Sequence, residues 1–169
     1  MSTNLYLASV PVFKQMLLAL SDVLSKAEAH AEAKKVDPAV LLQTRLAIDM
    51  FPLVRQVQIA CDFAKSVPAR LARVEVPAYD DNEQNFAELK ARIAKTVALL
   101  DGMSETQFEN SAALEIVLRP GTPKEKKLTG HAYLFAYGLP QFFFHVTTTY
   151  NLLRHVGVEI GKKDFMGSY

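Results

Sequence analysis

Gln141, His145 and Thr149 stand four residues apart in the run Gln141-Phe142-Phe143-Phe144-His145-Val146-Thr147-Thr148-Thr149-Tyr150. On a helix this spacing stacks the three side chains on one face, a turn apart. The flanking aromatics would partly desolvate the His145 imidazole, which favours its neutral form. Neutral imidazole is the form that ligates a metal and the form that takes a proton as a general base. The competing reading is a core histidine satisfied by a neighbouring carbonyl, Thr or Gln. A second apolar stretch carries Asp49, Gln56 and Asp62. On the second helix Asp49 and Gln56 are seven apart and so share a face, while Gln58 and Asp62, four apart, share another. These groups either line a pocket or flank the core seam and hydrogen-bond across it. Cys61 is the only cysteine, so an internal disulfide is excluded and a cysteine zinc site is implausible. It reads first as a small buried apolar residue, with a reactive thiol as the alternative.

The elements that must position these residues are mostly helical. Leu7, Val10, Leu17, Leu20, Leu24 and Ala27 predict a first helix over Leu7–Ala33, with Pro11 at its start or at a kink. Asp37-Pro38 supplies an N-cap and a first-turn proline for a second helix. Its stripe runs Leu42, Leu46, Met50, Leu53, Val57, Ala60, Ala64, and Pro52 predicts a kink near Ile48-Asp49. Ser66-Val67-Pro68 is expected to open a short further helix. Phe86, Leu89, Ile93, Val97 and Leu100 mark a third helix over Glu83–Leu100, closed by Gly102. Leu114–Leu118 alternates as a strand, Arg119–Pro123 has turn chemistry, and Lys124–Thr129 returns as a second strand. The last helix spans Gly130–Val156 with Pro140 inside it. The tail Val158–Tyr169 is expected to pack back in extended form. Four long helices and short connections predict an all-α, antiparallel four-helix bundle with a small β-hairpin before its last helix.

At 169 residues the chain fits one domain. With 19 basic and 18 acidic residues, the net charge of +1 offers no reason to expect a nucleic-acid partner. No apolar run nears the ~20 residues of a membrane-spanning helix. The opening Met1-Ser2-Thr3-Asn4-Leu5-Tyr6 has neither the cationic flank nor the apolar run of a signal peptide. A reducing cytoplasm suits the lone cysteine. Tyr133, Phe135, Tyr137, Phe142, Phe143 and Phe144 point in several directions on one helix, which predicts a cover from another part of the chain or a twofold homodimer.

The segment Phe144–Val158 resembles the last helix of the DinB/YfiT-like metalloenzyme superfamily, in which an H-x-x-x-H pair precedes Arg, two residues, then Gly-Val. His145 precedes Arg154 by nine residues and Gly157 by twelve, matching the second histidine of that pair. The first falls at Gln141, and the superfamily's third metal histidine, from the second helix, falls at Gln56. The whole chain, including Asp49-Met50-Phe51-Pro52-Leu53 and Gly161-Lys162-Lys163-Asp164-Phe165, is similar to one branch, a domain-of-unknown-function family numbered nineteen-ninety-three. The resemblance implies a DinB-like bundle with an altered metal site. Neutral amides at two of three ligand places hold zinc or nickel poorly. The expectation is therefore a polar small-molecule pocket formed by Gln56, Gln141, His145 and Asp49, with no metal and no cofactor. Asp49 is the nearest anionic group that could restore a metal site. The alternative implied by the resemblance is an enzyme, a thiol-dependent transferase or a metal-assisted one, using His145 as its catalytic residue.

Overall fold

The computed structural model describes residues 4–169; Met1–Thr3 of the opening segment lie outside the described residues. Four long helices dominate: α1 (Val10–Lys34), α3 (Leu53–Leu71), α4 (Phe86–Asp101) and α6 (Leu139–His155). Between them lie α2 (Pro38–Leu42), the hairpin β1 (Glu115–Leu118) and β2 (Lys126–Thr129), and the short turn α5 (Gly130–Ala132). After them comes α7 (Lys162–Met166). Helix α3 packs on α6 on one side and on α4 on the other, and α1 closes the bundle against α4 and α6. Phe13, Phe86, Tyr133 and Phe142 are the largest side chains in this core, and Phe13 meets Phe142 edge-on at 4.7 Å.

Local chemistry sets the boundaries. The Asp37 carboxylate accepts from the Ala39 N–H at 2.9 Å and starts α2. At α4 the start is later than the expected Glu83. Asn85 accepts from the Glu88 N–H at 2.9 Å, and Glu88 accepts in return from the Gln84 N–H at 2.6 Å. The predicted kink near Ile48-Asp49 is instead a break. The chain leaves helix after Leu42 and re-enters it at Leu53. Pro52 has no N–H and disfavours helical geometry at Phe51, so it serves as the N-cap of α3. The intervening segment is held by the Leu53 N–H on the Thr44 carbonyl at 3.0 Å and by Arg45 on the Met50 carbonyl. Leu46 and Ile48 are exposed as a result, and Asp49 is not on the helix that carries Gln56. Pro68, expected to begin a short further helix, lies inside α3. It opens no new helix, because α3 runs through it and forgoes one backbone bond while both flanks stay packed.

The hairpin pairs Ile116 with Leu128 and Leu118 with Lys126 in antiparallel register, inside the predicted strands. Gly130 then admits the chain into the last helix. A Cβ there would lie 1.9 Å from the Ser111 carbonyl oxygen. The predicted last helix is widened into a π-helical turn over Tyr133–Gly138 before α6 begins. Pro140 cannot donate to a carbonyl of the preceding turn and crowds it, which a wider turn relieves. The tail is not wholly extended. Helix α7 lies on α1 through Lys26 to Asp164 at 2.6 Å and Gln15 Nε2 to the Met166 carbonyl at 2.9 Å.

Arg92 of α4 is buried among opposite charges. Its Nη1 donates to the Asp80 carbonyl (2.8 Å) and Glu83 (2.9 Å), and its Nη2 to Asp62 (2.9 Å) and Asp81 (3.0 Å). Burial works against this charge, but Glu83 and Asp62 outweigh it and hold the guanidinium above its ordinary pKa. Lys65 pairs with Asp62 at 2.9 Å, and its Nζ and that of Lys95 lie 3.9 and 4.2 Å from the centre of the Tyr79 ring. This cluster straps the connection before α4 onto α3.

Ile93 is 1% exposed and Leu46 38% exposed, which separates two residues that the sequence places on equivalent stripes. Ile93→Ala is expected to cost about 2–5 kcal/mol. Leu46→Ala should cost no more than ~0.5 kcal/mol. Urea unfolding of the two variants checks both values, and equal losses would contradict the break between α2 and α3.

Candidate functional site

Gln56 lies in the first turn of α3 and His145 in the second turn of α6, on the faces that these helices turn toward each other. The Gln56 Nε2 donates to the Phe51 carbonyl at 3.0 Å. A carbonyl only accepts, so this bond fixes the amide with its oxygen toward His145. That oxygen lies 2.7 Å from His145 Nδ1. It too only accepts, so Nδ1 carries the proton and Nε2 presents its lone pair. The break at Pro52 makes the arrangement possible, because it leaves the Phe51 carbonyl outside a helical ladder.

His145 is 7% exposed. Phe63 lies nearly parallel to its ring at 6.1 Å and Phe144 meets it edge-on at 5.2 Å. Nε2 makes no hydrogen bond among the described residues. Among the described residues Arg92 Nε is the only fully buried side-chain nitrogen or oxygen without a partner, so His145 Nε2 keeps some contact with solvent. Burial, and after it the Arg55 charge, lower the His145 pKa to about 4. The imidazole is therefore neutral at physiological pH.

The other residues singled out in the sequence are placed differently. Thr149 donates to the His145 carbonyl at 2.9 Å and serves the helix backbone, not the ring. Gln141 is half-buried without a hydrogen-bond partner among the described residues. With Ala136, Tyr137, Pro140 and Phe144 it lines a hollow of about 260 Å³. Asp49 is exposed in the break before α3. Gln58 and Asp62 belong to the Arg92 cluster, Gln58 Nε2 donating to Glu83 at 2.7 Å. Cys61 is fully buried, and burial pushes its thiol up to about 12, which keeps it protonated at neutral pH.

These donors do not fit the metal of the DinB-like superfamily. Gln56 spends its oxygen on Nδ1, which leaves His145 Nε2 and the Gln141 amide where three imidazoles would be needed. Among the described residues no three His, Cys, Asp or Glu side chains are grouped to hold a metal ion.

A larger cleft, about 490 Å³, shares Tyr137 with the hollow beside Gln141. Asp62, Phe63, Ser66 and Arg70 of α3 form one wall, Val117–Pro120 at the end of β1 another, and Tyr137 of the π turn the third. Phe63, in the wall of this cleft, has one ring neighbour in His145 and another in Tyr137 at 5.8 Å. Sequence reading missed the arginines of this cleft and the Arg92 cluster. The signal for Arg92 was present. It stands three residues after Leu89 and four before Thr96, on the buried face of α4, and an acidic run precedes that helix.

The His145 environment makes a pH prediction. The folded value is about 4, below the ordinary ~6.5 of an unfolded chain. Between these values the unfolded state binds the extra proton, so stability falls as pH is lowered through this window. An NMR titration should find the His145 ring neutral at pH 6. Urea midpoints should drop more steeply between pH 6.5 and 4 in the wild type than in His145→Gln, and parallel curves would refute the assignment.

No curated protein matches the chain. Among solved structures it is similar to a DinB family member protein from Shewanella denitrificans, determined at 1.83 Å resolution. The two are 47% identical over 98% of this chain and 93% of that one, with a TM-score of 0.92. The family described as Domain of unknown function (DUF1993) matches residues 5–166. Coverage of nearly the whole sequence, on a DinB-like bundle, places the chain in that family, and the protein belongs to the DUF1993 domains.

Proposed function

We propose that this is a cytoplasmic, one-domain binding protein that takes a small polar molecule at His145 without the help of a transition metal. The observation that carries the reading is the bond between Gln56 and His145 Nδ1, anchored in turn on the Phe51 carbonyl. It turns a place occupied by a metal ligand in the resembled superfamily into a clamp that holds one tautomer. The ring then offers Nε2 as an acceptor between two phenyl rings, with the Gln141 amide one turn away on the same helix. Asp49 stands outside this set in the open segment before α3.

Binding is favoured over catalysis by the same electrostatics. A general base works best with a pKa near the operating pH. A ring whose pKa is lowered to about 4 accepts a hydrogen bond but takes a proton weakly. A thiol-dependent or metal-assisted transfer would ask His145 for the stronger role.

Two measurements test the reading together. Elemental analysis of protein purified without added metal should find no stoichiometric zinc or nickel. Phenol, a neutral donor on an apolar ring, should shift the His145 ring resonances saturably in the wild type and leave His145→Ala unaffected, with helical circular dichroism retained. One zinc or nickel per chain, lost in His145→Ala, would replace this reading with the metalloenzyme one.

A twofold homodimer is the second part of the proposal. Leu46, Ile48 and Phe51 are exposed in the segment before α3, and Phe144 is 55% exposed on α6. The Phe51 carbonyl and the Phe144 ring both adjoin the Gln56–His145 pair, so Phe51 and Phe144 belong to one region. A second copy covering it would remove exposed phenyl surface from water. Sedimentation should give a dimer, weakened about tenfold or more in Phe144→Ser. A monomer at high concentration would remove the dimer.

A further inference from the structure

We infer that the cleft between α3, the end of β1 and the π turn is a second binding site, for a small organic anion with an aromatic or branched apolar body. Its charge is the first argument. Arg70 and Arg119 both line it, and neither makes an ion pair among the described residues. Asp62 is the one carboxylate in the lining, and it is committed to Lys65 and Arg92, each at 2.9 Å. Two arginines thus line one hollow whose single carboxylate is directed elsewhere.

Both arginines are also held in place before any ligand arrives. Arg70 Nη1 donates to the Tyr133 hydroxyl at 3.0 Å and reaches the Ser66 carbonyl at 3.5 Å. These bonds hold Nη1 in place, and among the described residues the other N–H groups of Arg70 make no hydrogen bond. Fixed in this way, the fork suits the planar, two-oxygen geometry of a carboxylate or phosphate. Arg119 has a φ of +50°, a left-handed conformation that a long side chain seldom adopts. The conformation is held by the Thr122 N–H and hydroxyl, which both donate to the Arg119 carbonyl.

The rest of the lining selects the body of the ligand. Phe63, Val117, Leu118, Pro120 and Tyr137 give apolar walls, and about 490 Å³ lies within the ~300–1,000 Å³ typical of small-molecule sites. A bare inorganic anion would leave those walls in water. A neutral ring would leave both arginines unpaired. An aryl or branched alkyl group joined to an anionic head satisfies both.

The inference stands apart from the reading of His145. Isotope-labelled protein is titrated with benzoate, phenyl phosphate, inorganic phosphate and benzyl alcohol. Benzoate or phenyl phosphate should shift the Phe63, Leu118 and Tyr137 resonances saturably below ~10 mM, and the tighter of the two identifies the headgroup. Inorganic phosphate and benzyl alcohol should bind more weakly than either. Arg119→Gln, on an exposed turn where the fold does not depend on it, should weaken the aryl anion about tenfold. His145→Ala should leave that affinity unchanged. Saturation by neither aryl anion, wild-type affinity in Arg119→Gln, or loss of binding in His145→Ala would each overturn the assignment.

Discussion

Taking the Arg92 guanidinium out of water is the constraint around which this half of the chain is arranged. Desolvating such an ion costs several kcal/mol unless opposite charges and hydrogen bonds surround it. Its counter-charges come from separate pieces of chain: Asp62 from α3, and Asp81, Glu83 and the Asp80 carbonyl from the connection before α4. The connection has no helix or strand of its own, so its path is set by what Arg92 requires. Lys65 and Tyr79 complete the enclosure. Arg55 extends it, bonding both Asp81 and Gln58. Helix α3 therefore carries matched polar groups on two sides. Gln58 and Asp62 look toward α4, and Gln56 looks toward α6.

The division between what sequence reveals and what it hides follows from that arrangement. Apolar periodicity is a property of single helices, and α1, α4 and α6 were legible from it, as was the hairpin from strand alternation and turn residues. Proline was legible as an interruption but not as to its kind. At Pro52 the chain breaks, at Pro68 it continues, and before Pro140 it widens. The difference lies in what packs around each ring, which a single sequence does not contain. Asp49 was drawn into the candidate site by helical spacing that the break at Pro52 removes. Arg92, Arg70 and Arg119 were passed over because a charged residue reads as solvated until its partners are brought from elsewhere in the chain.

His145 and Gln56 show the complementary case. They are 89 positions apart, and no periodicity relates them. Resemblance to a bundle with a three-histidine site points to both, and in the fold the two side chains meet at 2.7 Å. What neither pattern nor resemblance conveys is the direction of the hydrogen bond. That follows from a third group, the Phe51 carbonyl, whose exposure depends on Pro52. The chain thus runs from a missing N–H at one residue to the tautomer of another.

The π turn has a consequence for how such bundles diverge. Each residue of an α-helix advances the chain by about 100°, so the turn over Tyr133–Gly138 sets the rotational phase of everything after it. Gly138 is wedged there against Val67, where a Cβ would come within 2.8 Å of a methyl carbon. Removing one residue from this turn would swing the face bearing Gln141 and His145 away from α3 without altering either side chain. The register of α6 is in that sense a dial separate from its composition. Two chains with identical residues on this helix could present different chemistry to the same neighbour.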